Sequence, residues 1–146
     1  WHFEHDEVAY NLRMPNLNAA LGVAQLQKLP AFLRQKRALA QAYREVIEKI
    51  PGLVFFDDDP NSALASSNYW LNAVLCADSA ERDALLRVTN EQNIQTRPLW
   101  IPMHQLEIYQ ACLRTALPNT QWFAERVVNL PSGVVCPKLA SGRSPK

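Results

Sequence analysis

Residues 10–50 read YNLRMPNLNAALGVAQLQKLPAFLRQKRALAQAYREVIEKI. A polar loop carrying Asn11 and Arg13 runs straight into a long apolar pattern. Asn16 has the side chain of a helix N-cap, with Pro15 just outside it, and Leu17, Ala20, Leu21 and Ala24 then recur at helical spacing. Past Pro30 the stripe continues through Leu33, Leu39, Ala40, Tyr43, Val46, Ile47 and Ile50, while Arg34, Lys36, Arg37, Arg44, Glu45, Glu48 and Lys49 fall mostly on the other face. Pro51 and Gly52 end it. A single helix of this length spans about 50 Å, and Pro30, which removes a backbone donor and crowds the preceding turn, is expected to kink or split it. Such a helix extends beyond the core of so short a chain.

After Gly52 the period changes. Leu53 to Phe56 is a short apolar run, DDDPNS breaks it, and Asn68 to Cys76 follows as NYWLNAVLC, so both read as strands. Asp78 or Ser79 caps a second helix bearing Leu85, Leu86 and Val88, which ends near Asn93, a residue tolerant of the left-handed conformation. Ile94 to Arg97 reads as a third strand stopped by Pro98. Two short helical patterns follow, one around Leu106 to Leu113 and one opened by Asn119 and carrying Trp122, Phe123, Val127 and Val128. The expected fold is α+β: a small antiparallel sheet packed with helices and led by a long Pro-kinked helix. Residues 1–136 form the domain, and the polar residues 137–146 read as a flexible tail.

Composition narrows the function. The chain has 146 residues, 15 of them basic and 14 acidic, for a net charge of +1, and no basic block points to nucleic acid or a membrane surface. No apolar run is long enough for a membrane span. Cys76, Cys112 and Cys136 are odd in number and widely spaced, which suits reduced thiols and a cytoplasmic protein better than a disulfide framework. The chain opens on Trp1, in the aromatic-rich WHFEH, and reads as trimmed from something longer.

Candidate chemistry is sparse. His2 and His5 supply too few ligands at that spacing for a metal site, and none is expected. Cys76, among apolar residues, reads as a buried inert thiol. Ser66 and Ser67 have neither a nucleophile elbow nor a nearby base. Trp70, Trp100 and Trp122 could stack on a sugar, but aromatic residues on strands and amphipathic helices are more often core, and core is the expectation. His104, in RPLWIPMH, follows a strand end and a proline-punctuated loop, where functional residues often stand.

Four blocks then converge: HDEVAYNLRMPNLNAALGVAQLQKL (5–29), SNYWLNAVL (67–75), NIQTRPLWIPMHQLEIYQ (93–110) and WFAERVVNLPSG (122–133). Together, and in this order, they resemble the C-terminal part of the DegT/DnrJ/EryC1/StrS sugar aminotransferases, most of all the branch that aminates nucleotide-linked 4-keto-6-deoxy sugars on the way to legionaminic acid. The resemblance implies the small domain of a pyridoxal-phosphate enzyme of the aspartate-aminotransferase fold, working as a homodimer. By the same likeness Asn11 donates to the cofactor phosphate held by the other subunit and Arg13 supplies a cation, while His5, Tyr10 and His104 face the substrate. The sequence departs from the family pattern at Ala9, Glu107 and Gly133.

The family's Schiff-base lysine, and the acidic residue paired with the pyridine nitrogen, would lie upstream of Trp1. Lys28, Lys36, Lys49, Lys138 and Lys146 fall on helix faces or in the tail, where solvated cations are expected. No residue of this chain is therefore expected to be catalytic, and the chain alone is expected neither to transaminate nor to hold the cofactor. Two expectations of different class stand side by side: the small-domain portion of a nucleotide-sugar transaminase, or a non-catalytic association module derived from it. A third, a carbohydrate-binding module, is weaker. The expected partners are a second copy of the chain, in a homodimer or higher oligomer, and a large-domain fragment.

Overall fold

The computed structural model describes residues 10, 12–57 and 66–134. The chain divides into two compact units, Trp1–Phe32 and Leu33–Lys146. Helix α1, Asn16–Ile47, begins in the first and ends in the second. Pro30 lies inside α1 without splitting it, because one lost backbone donor is outweighed where good helix formers such as Gln25, Leu26, Gln27 and Ala31 flank the proline.

Within the second unit, β1 (Val54–Phe56), β2 (Asn72–Leu75), β3 (Arg97–Pro98) and β4 (Val127–Leu130) form one antiparallel sheet in the order β1-β2-β4-β3. Cross-strand partners share a face. Phe55, Val74, Val128 and Pro98 stand in one row, and Phe56, Ala73, Asn129 and Arg97 stand in the next row, on the opposite face. The first row lies on the core face: Phe55, Val74 and Val128, with Cys76, are buried against Ala40 and Ile47 of α1, and Leu85 and Leu86 pack against them from α2 (Ser79–Glu91). On the other face the Phe56 ring meets Phe123 of α3 (Pro118–Ala124) edge to face.

The α+β expectation holds, and so do the first two strands and the second helix. Asp78 is the N-cap of α2, accepting from Glu81 N at 2.8 Å, and Asn93 takes the left-handed conformation at φ 61°. Four expectations are corrected. The third strand starts at Arg97 and includes Pro98, which is tolerated because β3 is an edge strand and a proline need not donate there. Val127 and Val128 belong to a central strand, not to a helix: two β-branched residues buried on opposite faces suit a strand covered on both sides. The last helix is opened by Pro118 at its first turn, not by Asn119, because a fixed φ and a missing donor cost nothing there. The segment around Leu106 to Leu113 makes only short 3-10 turns, Met103–Gln105 and Glu107–Tyr109, with Leu113 fully exposed, since no core lies opposite to reward a full helix. The tail, Cys136 and the segment before Tyr10 lie outside the described residues.

Candidate functional site

The loop ahead of α1 belongs to the first unit. Tyr10 is 93% exposed, and Leu12, Arg13, Met14 and Pro15 are exposed and non-helical. Ala19 N donates to Pro15 O at 3.0 Å, which starts the helix, and the first turn carries no acidic residue. A guanidinium three residues ahead of a helix N-terminus whose first turn carries no acidic residue is chemistry suited to an anion. Asn11 and His5, expected beside them, lie outside the described residues.

His104 stands in the first 3-10 turn of the second unit. Its carbonyl accepts from Arg114 at 3.1 Å, and His104 lines a cavity of about 390 Å³ together with Arg114, Leu117 and Gln121. A histidine and an arginine lining one open cavity bring residue types able to hydrogen-bond a polar ligand.

Lys36 was expected on the solvated face of α1, and the structure corrects this. Its Nζ donates to the carbonyls of Tyr69 (3.1 Å), Trp70 (3.3 Å) and Ser132 (2.8 Å). All three ammonium donors are used on backbone oxygens, so the amine is a structural tie and not a nucleophile. Its position shows why: Lys36, Ala40, Tyr43 and Ile47 follow one another at helical spacing on the inward stripe, and Tyr43 likewise donates to Pro131 O at 3.0 Å. Lys28 and Lys49 are exposed.

The tryptophans also depart from expectation. Trp70 precedes β2 and Trp100 follows β3; they are 68% and 70% exposed, with ring centroids 6.4 Å apart and planes 19° from parallel. They are not core, because both sit on connecting segments just outside the strands. Trp122 is exposed too, covered on one side by the Arg126 guanidinium at 4.9 Å. Beside Trp100 opens a groove of about 680 Å³ lined by Leu71, Gln95, Arg97, Asn129 and Ser132. Cys76, 2% exposed, is the buried thiol expected, and burial followed by the Glu81 charge pushes it up to about 11. Among the described residues no group of three metal-ligating side chains occurs.

Comparison with known proteins places these features. The DegT/DnrJ/EryC1/StrS aminotransferase family matches residues 1–139. The GDP-perosamine synthase of Vibrio cholerae is 37% identical over 131 residues, covering 88% of this chain and 35% of its own length. The dTDP-4-dehydro-2,3,6-trideoxy-D-glucose 4-aminotransferase of Saccharopolyspora spinosa is 28% identical over 131 residues, covering 90% of this chain and 33% of its own. Among solved structures, the aminotransferase TlmJ from Streptoalloteichus hindustanus has a TM-score of 0.79 at 27% identity, over 90% of this chain and 34% of that one. The chain spans about a third of the length of the curated relatives it matches. Because the match takes in the loop ahead of α1, all four strands and the His104 turn, the chain belongs to the DegT/DnrJ/EryC1/StrS aminotransferase family.

Proposed function

We propose that this chain is the small-domain portion of a pyridoxal-phosphate-dependent nucleotide-sugar aminotransferase, moving an amino group from glutamate to a 4-keto-6-deoxy sugar nucleotide, and that it is inactive alone. Family membership over residues 1–139 supports the activity. The inactivity is carried by Lys36, whose amine is held by three carbonyls, with Lys28 and Lys49 exposed. The names of the perosamine synthase and the 4-aminotransferase support an acceptor of this kind. Within it, a sugar on the legionaminic-acid route is the specific acceptor proposed.

The donors present fit one end of the cofactor. Arg13, and the N-terminus of α1 with no acidic residue in its first turn, suit a phosphate; nothing described suits covalent attachment. Pyridoxal phosphate, when bound, supplies a conjugated ring that carries the amino group between donor and acceptor. Asn11 would hold its phosphate by an amide N–H, adding no charge, and Arg13 would add the cation. His104, Tyr10 and His5 would orient the sugar nucleotide, the imidazole of His104 by a hydrogen bond to a sugar oxygen. The compartment proposed is the cytoplasm; among the described residues no helix is long and apolar enough to cross a membrane.

A second reading, a non-catalytic association module, has its own observation. In the first unit Leu17, Leu21, Val23, Leu26 and Leu29 are all exposed, so α1 there is apolar on several faces, as a helix buried inside a larger assembly would be. Both readings place a second copy of the chain, or a large-domain fragment, over that surface. Light scattering is expected to report a dimer or higher oligomer.

A chimera joining this chain to the remainder of the Vibrio cholerae relative separates them. It is expected to retain pyridoxal phosphate and to aminate a 4-keto-6-deoxy sugar nucleotide with glutamate as donor, while the chain alone shows no turnover. Asn11→Ala and Arg13→Ala should release cofactor on dialysis. A folded chimera that binds no cofactor overturns the transaminase reading and favours the module.

A further inference from the structure

We propose that Trp70 and Trp100, with the groove beside them, form a shelf for the nucleobase of the sugar nucleotide, an inference that rests on the nucleotide-sugar reading above. Two indoles held 19° from parallel and about 70% exposed present broad π-faces to solvent, where burial would be the favoured state.

The backbone holds this presentation in place. Tyr69, immediately before Trp70, has φ 46°, a left-handed conformation that a bulky aromatic residue rarely adopts. It is held there from several sides: Tyr69 N donates to Ser67 Oγ at 3.0 Å, its hydroxyl donates to Asp57 Oδ1 at 2.8 Å, and its carbonyl accepts from Lys36. Trp70 is fixed in the same way, its N–H donating to Asn68 Oδ1 at 2.9 Å and its carbonyl accepting from Lys36. Backbone strain retained by so many bonds clusters at ligand sites. Trp100 lies between Pro98 and Pro102, which restrict the chain on both sides.

The groove supplies the polar half of base recognition. Asn129 and Arg97 are cross-strand partners, so both stand on the sheet face away from the Val74 and Val128 core. Asn129 Nδ2 donates to Pro98 O at 3.3 Å, while its Oδ1, like the Gln95 amide, makes no hydrogen bond among the described residues. Arg97 is positioned through Asn90 Oδ1 at 3.1 Å. Amide and guanidinium groups match the donor and acceptor edge of a nucleobase, and about 680 Å³ is room for more than a monosaccharide.

Calorimetric titration of the full chain with GDP, UDP and dTDP, and separately with a free methyl glycoside, tests this. At least one nucleoside diphosphate is expected to bind saturably and the glycoside not at all. Trp70→Ala and Trp100→Ala should each weaken binding by about tenfold, the scale of base stacking on one aromatic ring. Trp70→Phe and Trp100→Phe, with circular dichroism to confirm folding, should recover most of it. No saturable nucleotide binding, binding unchanged in both alanine variants, or equal binding of the glycoside overturns the shelf. Failure of the shelf and of the function are distinguishable: an active chimera whose nucleotide affinity ignores both tryptophans sinks the shelf alone. Tryptophan-dependent nucleotide binding with a folded, cofactor-free chimera supports the shelf and sinks the aminotransferase reading.

Discussion

Lys36 Nζ lies 2.8 Å from the carbonyl oxygen of Ser132, 96 residues further along the chain. The same ammonium holds Tyr69 O and Trp70 O, so one side chain of α1 ties together the approach to β2 and the exit from β4. Ser132 is itself tied back, its Oγ accepting from Asn72 N at 2.7 Å and donating to Leu130 O at 2.8 Å.

Removing that tie strands three carbonyls beside a half-buried site. Lys36→Met, which keeps the stem and deletes the charge, should destabilise by about 2 kcal/mol, read as a lower urea midpoint at unchanged slope. Borohydride trapping of pyridoxal phosphate on the native chain should leave Lys36 unlabelled. Labelling at Lys36 in preference to Lys28 and Lys49 would contradict its structural role.

How much of this was legible in the sequence depended on whether a residue announced its environment by its neighbours. Asp78, Asn93 and the strand of Val54–Phe56 did so through local chemistry: a capping side chain, a left-handed stop and a bounded β-rich run. Val127 and Val128 did not, because a short apolar run covered on both faces has no alternation and follows directly on a helical pattern. Lys36 could have been found, since it shares the helical row of Ala40, Tyr43 and Ile47, but its charge suggested solvent. The tryptophans were unreadable for a different reason: aromatic character suits a buried ring and an exposed one alike, and only the folded chain shows that these three are exposed. Of the candidate site, the Arg13 loop and the His104 turn are marked in the sequence only by family likeness, whereas the groove is formed by residues far apart in sequence.

The start of α2 is held by two side-chain carboxylates accepting from backbone N–H groups. Asp78 Oδ1 accepts from Glu81 N, and Glu81 Oε2 accepts from Ala77 N at 2.6 Å. Asp78→Ala should cost about 1 kcal/mol, and Asp78→Ser should recover most of it because serine caps nearly as well. Thermal unfolding of the three proteins checks this. Equal melting temperatures for the aspartate and alanine forms would show that α2 is held by packing alone.

Gly52 turns the chain from α1 toward β1 at φ +86°, and a Cβ there would sit 3.0 Å from Glu81 Oε1. The carboxylate tip can move aside; the dihedral angle cannot. Gly52→Ala should therefore destabilise by about 1–2 kcal/mol from backbone strain. The loss should persist in a Glu81→Gln background, and its disappearance there would assign the cost to the carboxylate contact instead.

Cys76 gives a prediction whose sign follows from its burial. The folded protein holds this thiol up to about 11, from an ordinary value of 9.0, so on raising the pH the unfolded chain loses its proton first. The contribution of Cys76 to stability is thus intact below about 9 and falls as pH rises from there toward about 11, the native state binding the extra proton. Chemical denaturation across that range, compared with Cys76→Ala, should show a steeper decline in the native chain. In a Cys136→Ser background an alkylating reagent at neutral pH should modify exposed Cys112 first, with Cys76 roughly a hundredfold slower until denaturant is added. Equal labelling of Cys76 and Cys112 in the folded chain would mean that the packing of Ala40, Ile47 and Val128 around this thiol opens on the timescale of the reaction.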